Sequence, residues 1–260
     1  MAFKQYVRAE IAAGLDETHQ FEDQSAGASG AAYYAAHLAV IGYIETCTPT
    51  LMRYLNGSGK RILESGCGTG RWMAFFESLG HRAYGVDDSP AALRVAHAHD
   101  PRLRLARADV LNGPFPDASF DAVFSSYVAE HFEDGPVPLL RELHRVLRPD
   151  GLLALIVPYD NPFRRLVTNN ALRAFYAFSR LRGRPLAFTE FRYTCAEVER
   201  FLRAAGFRTV HRDLCITTVH RARLTRWGIS ISGWCGPSRW WPSTGTSAGP
   251  PRSCTSPSRR

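Results

Sequence analysis

Apolar and polar positions along the central part of the chain alternate between two kinds of pattern. Segments with helical spacing separate short apolar runs that are typical of β-strands. These runs cover residues 61–64, 82–86, 103–108, 120–125 and 152–157. The last of them is apolar at every position, as expected for a strand covered on both faces of a parallel sheet. Ser89 is expected to cap the helix that follows the second run. We therefore predict an α/β fold, a doubly wound, mostly parallel, Rossmann-like sheet with helices on both faces.

The segments on either side of this core give different patterns. Residues 1–55 are expected to form an N-terminal arm and a helix. The first thirty are polar and rich in small residues, and apolar positions recur at helical spacing from residue 33. Residues 56–158 are expected to form the ligand-binding core. Residues 159–193 are interpreted as a helical insert or lid.

The C-terminal part should complete the domain and then lose structure. We expect Thr194 to cap a helix that Gly206 ends, and residues 207–214 to form a sixth strand, within a segment 194–226 that closes the domain. Ser, Pro and Gly occupy 18 of the last 33 positions. We therefore predict a disordered tail at 227–260 and a sheet without a well-formed last strand.

The net charge of +8 belongs to the C-terminal end of the chain. All 24 acidic residues lie at or before Asp213, against 25 basic residues there, so that part carries +1. The last 47 residues hold seven arginines and no acid. A basic chain often binds nucleic acid, but here the predicted domain is nearly neutral. An RNA- or DNA-binding arm with Trp240 and Trp241 as stacking residues remains an alternative for the tail.

Composition narrows the class of protein further. An apolar fraction of 45% supports one sizeable core and excludes a disordered chain. The six cysteines are spread out and form no C-x-x-C pair, which indicates a reducing compartment and gives no metal-site pattern. No apolar run approaches the roughly 18 residues of a membrane span, and the first residues lack a signal-peptide pattern. We expect a soluble cytoplasmic protein of unknown oligomeric state.

The most informative segment is the glycine-rich loop after the first predicted strand. That strand ends at Glu64, and Gly66 and Gly68 follow, where the missing Cβ lets a ligand approach the main chain. Asp87 ends the second strand near the offset of ~20 residues at which an acid binds ribose hydroxyls, and Asp109 ends the third. Since these strand ends share one edge of the sheet, we predict a nucleoside site there.

Two other nucleotide sites fit this loop less well. A dinucleotide fingerprint needs a third small residue at position 71, which is Arg71, so an oxidoreductase or epimerase is disfavoured and stays an alternative. A P-loop over 54–61 needs a glycine and a hydroxyl residue at its ends, but Tyr54 and Arg61 stand there.

The ordered motifs resemble those of class I S-adenosylmethionine-dependent methyltransferases. They are Glu64-x-Gly66-x-Gly68-x-Gly70, Gly85-Val-Asp87-Asp-Ser89, Ala108-Asp109, and the segments 114–123, 142–151 and 191–207. The resemblance implies S-adenosylmethionine as cofactor. The two ends of the insert, residues 158–162 and 190–193, resemble a subset of bacterial methyltransferases that act on small molecules or on glycan and lipid precursors, which implies an acceptor of that kind. A non-catalytic cofactor-binding module and a nucleic-acid methyltransferase remain alternatives.

The resemblance also assigns cofactor contacts by position in the motifs. Asp87 is expected at the ribose diol, Asp109 at the adenine amino group, and Glu64 at the methionine end. The residues expected to hold the cofactor are Glu64, Gly66, Gly68, Gly70, Asp87, Asp109, Val110, Ser125 and Ser126.

Candidates for the acceptor side are fewer. Methyl transfer from a sulfonium is an in-line displacement that depends on positioning, and an oxygen acceptor also needs a base. His131 follows the fourth strand and is the candidate base, with a hydrogen-bonded loop histidine as the alternative. The arginines of the insert either bind an acidic or phosphorylated acceptor or form a solvated helix face. They are Arg164, Arg165, Arg173, Arg180, Arg182, Arg184 and Arg192.

Overall fold

The computed structural model describes residues 2–9 and 48–212 of the chain. The first part of the predicted helix over 33–55 and the predicted tail at 227–260 lie outside the described residues. Among the described residues, no helix is both long and apolar enough to cross a bilayer.

Five parallel strands form the central sheet in the order β4-β3-β2-β5-β6. They are β2 (Arg61–Ser65), β3 (Arg82–Asp87), β4 (Arg104–Arg107), β5 (Phe120–Ser126) and β6 (Leu147–Ile156). The chain runs outward from β2 to β4 and then returns to the other side of β2. The strand order therefore reverses between β2 and β5, and ligands of such sheets bind at the carboxyl ends of the strands beside this point.

Six α-helices accompany these strands in the described part of the chain. They are α1 (Thr48–Tyr54), α2 (Arg71–Ser78), α3 (Pro90–His99), α4 (Val137–Val146), α5 (Asn169–Leu181) and α6 (Cys195–Ala204). Short 3₁₀ and π segments lie at Ala129–His131 and Arg164–Thr168.

Two apolar clusters bury the opposite faces of the sheet. Successive side chains along a strand point to opposite faces, so neighbours in β2 enter different clusters. Ile62 packs in one cluster with Met73 of α2 and Ala96 of α3. Leu63 packs in the other with Leu139 of α4. Helices cover both faces, which confirms the predicted doubly wound α/β fold.

The predicted helix signals are present at three helix ends. Ser89 caps α3 by accepting a hydrogen bond from the backbone N–H of Ala92 at 3.3 Å. Thr194 and Glu197 form a reciprocal capping box at the start of α6. Gly206 follows the end of α6 with a left-handed φ of +93°, a conformation that favours glycine. These predictions rest on local sequence and are confirmed.

A second, two-stranded sheet corrects two of the predictions. β1 (Phe3–Arg8) pairs antiparallel with β7 (Leu186–Arg192). The prediction of a loose arm is therefore wrong for residues 3–8. The predicted insert over 159–193 is helical at Arg164–Leu181 but ends in the strand β7. Tyr6 of β1 packs edge-on against the rings of Tyr176 and Phe188. Packing against residues so distant in sequence stabilises both strands, and no local pattern reports it.

The predicted sixth strand over 207–214 is also corrected. Residues 207–212, its described part, form no strand. The Phe207 N–H instead donates to the Leu202 carbonyl at 2.8 Å and so completes the end of α6. The Phe207 ring packs edge-on against His144 of α4 at 5.0 Å between ring centroids. Within the described residues, β6 is therefore an edge strand of the central sheet.

Candidate active site

The glycine loop after β2 combines one tightly packed position with one open position. Gly66, Gly68 and Gly70 have φ values of +71°, +49° and +73°, all in the left-handed region that favours glycine. A Cβ added at Gly66 would overlap the side chain of Val128, whereas one added at Gly68 would meet no atom within 4 Å. The loop is thus held against the turn after β5 and leaves open space beside Gly68 where a ligand can reach the main chain.

Replacing Gly66 with Ala is expected to destabilise the protein more than the same change at Gly68. Left-handed backbone costs a non-glycine residue about 1–2 kcal/mol, and both variants carry this cost. Only the Gly66→Ala methyl group overlaps Val128, which adds about 1–3 kcal/mol of overpacking. Urea unfolding of the two variants measures the difference. Equal free energies of unfolding would show that Gly66 is not packed as described.

Asp87 at the end of β3 closes the loop. Its carboxylate accepts the Gly68 N–H at 2.7 Å and the Ser89 N–H at 2.9 Å, so it joins the loop to the start of α3. Each carboxylate oxygen has a second lone pair and can also accept a hydroxyl group of a ligand. The N–H of Ala108 donates to the Asp87 carbonyl at 3.1 Å, which brings Asp109 to the neighbouring strand end.

Asp109, just after β4, is more exposed than Asp87. The Asp109 side chain is exposed and accepts the Leu111 N–H at 2.8 Å. Val110 is half-buried and packs against the cluster under α4. The positions predicted for the adenine amino group and its backbone contact therefore border the same edge as Asp87. Their roles stay predictions.

Glu64 lies beneath the loop. Its carboxyl group is buried and accepts the Met73 N–H at 3.0 Å, which fixes the start of α2. Burial raises the pKa of Glu64 to about 8, while the hydrogen bond from Met73 and the charge of Arg71 act in the opposite direction. The group is therefore mostly protonated at neutral pH and can donate as well as accept hydrogen bonds. Its contact with the methionine end stays a prediction.

Two buried serines lie on neighbouring strands where the strand order reverses. Ser65 of β2 and Ser125 of β5 are partners in register, and both are fully buried. Neither Oγ makes a hydrogen bond with a described residue. Ser126 follows at the half-buried end of β5. Buried hydroxyls are normally satisfied, so this pair indicates a place for a ligand or water. Sequence analysis missed Ser65, although it precedes the glycine motif directly.

The turn after β5 is strained. Tyr127 has a φ of +56°, which is unusual for an aromatic residue and typical of functional sites. Its N–H donates to the Ile156 carbonyl at 3.0 Å, which fixes the turn to the end of β6. Sequence analysis missed Tyr127, because nothing in the residue types around it reports a left-handed backbone.

His131 ends the 3₁₀ segment of this turn. Its Nδ1 lies 2.9 Å from the backbone carbonyl of Thr189 in β7. A carbonyl oxygen only accepts hydrogen bonds, so Nδ1 carries the proton and the neutral ring has its free lone pair on Nε2. The side chain is exposed. This tautomer suits a general base. The hydrogen bond that fixes it is also the one expected for a hydrogen-bonded loop histidine, the alternative interpretation.

Glu130 is a buried carboxyl group that the motifs did not reveal. It is fully buried, and neither carboxyl oxygen makes a hydrogen bond with a described residue. Burial raises the pKa of Glu130 to about 8, and the nearby charge of Glu190 acts in the same direction. The hydroxyl of Tyr193 donates to the Ala129 carbonyl at 3.2 Å and links the same turn to the end of β7.

Replacing Glu130 with Gln is expected to change how stability depends on pH. The pKa of Glu130 rises from 4.5 to about 8 on folding, so the native state binds more protons than the unfolded state between these values. Wild-type stability should therefore fall through this window as pH rises. Glutamine does not titrate, so the free energy of unfolding of the variant, relative to wild type, should rise by roughly 1.4 kcal/mol for each pH unit within this window.

Urea unfolding at several pH values in this window measures the effect. The Glu133→Gln variant is the matched control, because the Glu133 side chain is exposed, and it should follow the wild-type profile. A stability difference between Glu130→Gln and wild type that stays constant with pH would contradict the buried, protonated carboxyl group.

A cavity of about 590 Å³ opens along β6 and reaches the carboxyl ends of β5 and β6. Its lining there is polar and comes from the strained turn, the segment after β6, and β7. The residues at this end are Tyr127, Tyr159, Asn161, Arg164, Glu190 and Arg192. Through Tyr127, this cavity adjoins the turn after β5 at the carboxyl edge of the sheet.

Comparison with known proteins locates this site within a family domain. A family model described as "Methyltransferase domain" matches residues 63–155. The malonyl-[acyl-carrier protein] O-methyltransferase of Serratia marcescens is 36% identical over 95 residues, 36% of this chain and 37% of the relative. The phthiotriol/phenolphthiotriol dimycocerosates methyltransferase of Mycobacterium leprae is 38% identical over 104 residues, 38% of each chain. The matched segment spans less than two fifths of either relative.

A solved structure is similar to this chain at lower identity. It is the 1,6-didemethyltoxoflavin-N1-methyltransferase of Burkholderia thailandensis, with 1,6-didemethyltoxoflavin and S-adenosylhomocysteine bound. It aligns with 76% of this chain and 79% of that chain at 23% identity and a TM-score of 0.47. The family match covers the glycine loop, Asp87, Asp109 and the turn after β5. The match over residues 63–155 confirms the resemblance to class I S-adenosylmethionine-dependent methyltransferases that the motifs indicated.

Proposed function

We propose that this chain is an S-adenosylmethionine-dependent methyltransferase that acts on a small-molecule, glycan-precursor or lipid-precursor acceptor. The observation that carries the proposal is the glycine loop, left-handed at three positions and tied by Gly68 to Asp87, at the point of strand-order reversal. This loop lies within the segment that matches the methyltransferase domain.

The residues present fit a nucleoside cofactor. Gly68 leaves open space against the main chain, and Asp87 keeps lone pairs for a ribose diol. Ser65 and Ser125 offer two buried hydroxyls without partners among the described residues. Asp109 is exposed near Asp87, which supports its proposed role at the adenine amino group. S-adenosylmethionine, when bound, supplies an electrophilic methyl group on a sulfonium centre.

Residues of the chain are proposed to orient the cofactor and to accept the proton of the acceptor. The glycine loop and Asp87 orient the cofactor, and rigid positioning supplies much of the rate of such a displacement. His131 holds a proton acceptor, Nε2, at the turn after β5, where it can take the proton of an acceptor hydroxyl. β7 contacts this turn through Thr189 and so covers one side of it.

The acceptor class has weaker support than the cofactor. The two relatives are named for malonyl-[acyl-carrier protein] and for phthiotriol/phenolphthiotriol dimycocerosates. The cavity beside β6 is large enough for a small organic molecule. Both points favour a small or lipid-like acceptor over a nucleic acid.

Transfer of a labelled methyl group from S-adenosylmethionine to separated acceptor pools tests the proposal. We expect label in small-molecule or in sugar- and lipid-precursor pools with the full chain, and much less with the Asp87→Asn variant when S-adenosylmethionine is kept near the wild-type dissociation constant. Label that enters only RNA or DNA would show that the acceptor is a nucleic acid and would contradict the proposed acceptor class. Cofactor binding without transfer to any pool would favour a non-catalytic binding module.

A further inference from the structure

The arginines of the segment 159–193 occupy two different environments. Five are exposed on the surface of the insert: Arg165, Arg173, Arg180, Arg182 and Arg184. Arg164 and Arg192 are half-buried and line the polar end of the cavity beside Tyr127. The solvated-face interpretation therefore fits the first group, and the second group needs another explanation.

Arg164 and Arg192 have unused hydrogen-bond donors. Arg164 Nη2 donates to the side-chain oxygen of Gln5 at 3.1 Å, and Arg192 Nη2 donates to Glu190 at 2.8 Å. The Nε atoms of both arginines are buried and have no acceptor among the described residues. A guanidinium carries five N–H donors, and buried donors are normally satisfied, so the pair is short of acceptors.

The charges at this end of the cavity do not balance either. Two guanidinium groups face the carboxylate of Glu190, which Gln5 also contacts. Burial and the neighbouring charge of Arg192 both lower the pKa of Arg164, as expected where two cations lie close together. Glu130 adds little negative charge at neutral pH, because burial raises its pKa to about 8.

Asp160 is the remaining acid near Arg164, and it has other partners. Its carboxylate accepts the side-chain N–H of Asn169 at 2.9 Å and lies 3.9 Å from Arg165 Nε. The charge of Asp160 also acts on Arg164, but Asp160 shares it with Arg165. Within the described residues, the cavity end keeps an excess of positive charge.

We infer that Arg164 and Arg192 bind an oxyanion of the acceptor, a carboxylate or a phosphate group, at the polar end of this cavity. The inference rests on the proposed function, because it names the chemistry of that function's acceptor. Paired guanidinium groups suit such anions, since their N–H forks match two oxygens at once. Tyr127 lines the same end, so a molecule held there lies beside the carboxyl ends of β5 and β6.

Titration of the full chain with benzoate, phenyl phosphate and benzamide tests the inference by calorimetry. The first two probes carry the two candidate oxyanions, and benzamide is a neutral probe of the same shape. We expect one of the anions to bind at least tenfold more tightly than benzamide and to weaken as salt rises. The preferred anion distinguishes a carboxylate from a phosphate acceptor. Equal binding of all three probes would overturn the inference.

Variants separate this site from general surface charge. Arg164→Gln and Arg192→Gln should each weaken anion binding about tenfold, because each removes a charged hydrogen-bond donor. Arg192→Lys is the second variant at this position, in case Arg192→Gln does not fold. It keeps the positive charge but not the fork of donors, so it should lose less affinity for the anion than Arg192→Gln. Arg184→Gln, in the same insert but exposed, is the matched control and should bind like wild type.

The proposed function is monitored separately in the same variants. S-adenosylmethionine should bind all of them as it binds wild type, since neither arginine belongs to the glycine loop or to the ends of β2 and β3. If the protein binds the cofactor and transfers methyl groups to neutral acceptors only, the oxyanion site is rejected and the proposed function stands. Loss of anion binding in Arg184→Gln to the same extent would reject the specific pair.

Discussion

Replacing Asp87 with Asn is expected to weaken the binding of S-adenosylmethionine about a hundredfold. The Asp87 carboxylate accepts the N–H groups of Gly68 and Ser89 with different oxygens. An amide keeps one accepting oxygen and loses the charge, so one of these anchors is lost together with part of the proposed ribose contact. Each hydrogen bond to a charged group contributes about 1.5–3 kcal/mol.

Isothermal calorimetry measures this effect, with Asp88→Asn as the matched control. Asp88 is the next residue, carries the same charge and is exposed, so its variant should bind like wild type. Thermal unfolding of both variants shows whether the fold is retained. Unchanged affinity in a folded Asp87→Asn protein would contradict the assignment of Asp87 to the cofactor.

Replacing His131 with Gln is expected to lower kcat on an oxygen acceptor by about 10²–10⁴-fold. Glutamine can still donate to the Thr189 carbonyl, but it cannot take a proton as imidazole Nε2 can. The affinity for S-adenosylmethionine should stay the same, since His131 lies outside the glycine loop. The limb of the pH–rate profile that reports a base should also disappear.

Steady-state kinetics over a range of pH values test this prediction. His97→Gln is the matched control, because His97 is an exposed histidine on α3, and its variant should keep both kcat and the pH profile. A His131→Gln enzyme that keeps the wild-type kcat and pH profile would reduce His131 to the hydrogen-bonded loop histidine of the alternative interpretation.

The features that could be predicted from sequence depend on neighbours along the chain. The caps at Ser89 and Thr194 involve residues three positions apart, so the residue types reveal them. The glycine loop and the acids at the strand ends follow from one rule, that parallel strands end at a common edge. This rule puts Asp87 at the same edge as the glycine loop, and the structure adds its contact with Gly68.

The features that could not be predicted depend on distant partners or on backbone strain. β1 forms because β7 pairs with it, about 180 positions along the chain, and its residue types alone do not report that partner. Glu130 is an ordinary polar residue in sequence, and only packing of the turn against β7 buries it. The left-handed backbone of Tyr127 is likewise set by its hydrogen bond to Ile156.

The most direct test of the account is calorimetric titration of the full chain with S-adenosylmethionine and, separately, with a nicotinamide dinucleotide. The loop over Gly66 to Gly70, closed by Asp87, predicts one S-adenosylmethionine site with a dissociation constant on the order of micromolar and no binding of the dinucleotide. Binding of the dinucleotide without binding of S-adenosylmethionine would contradict the account.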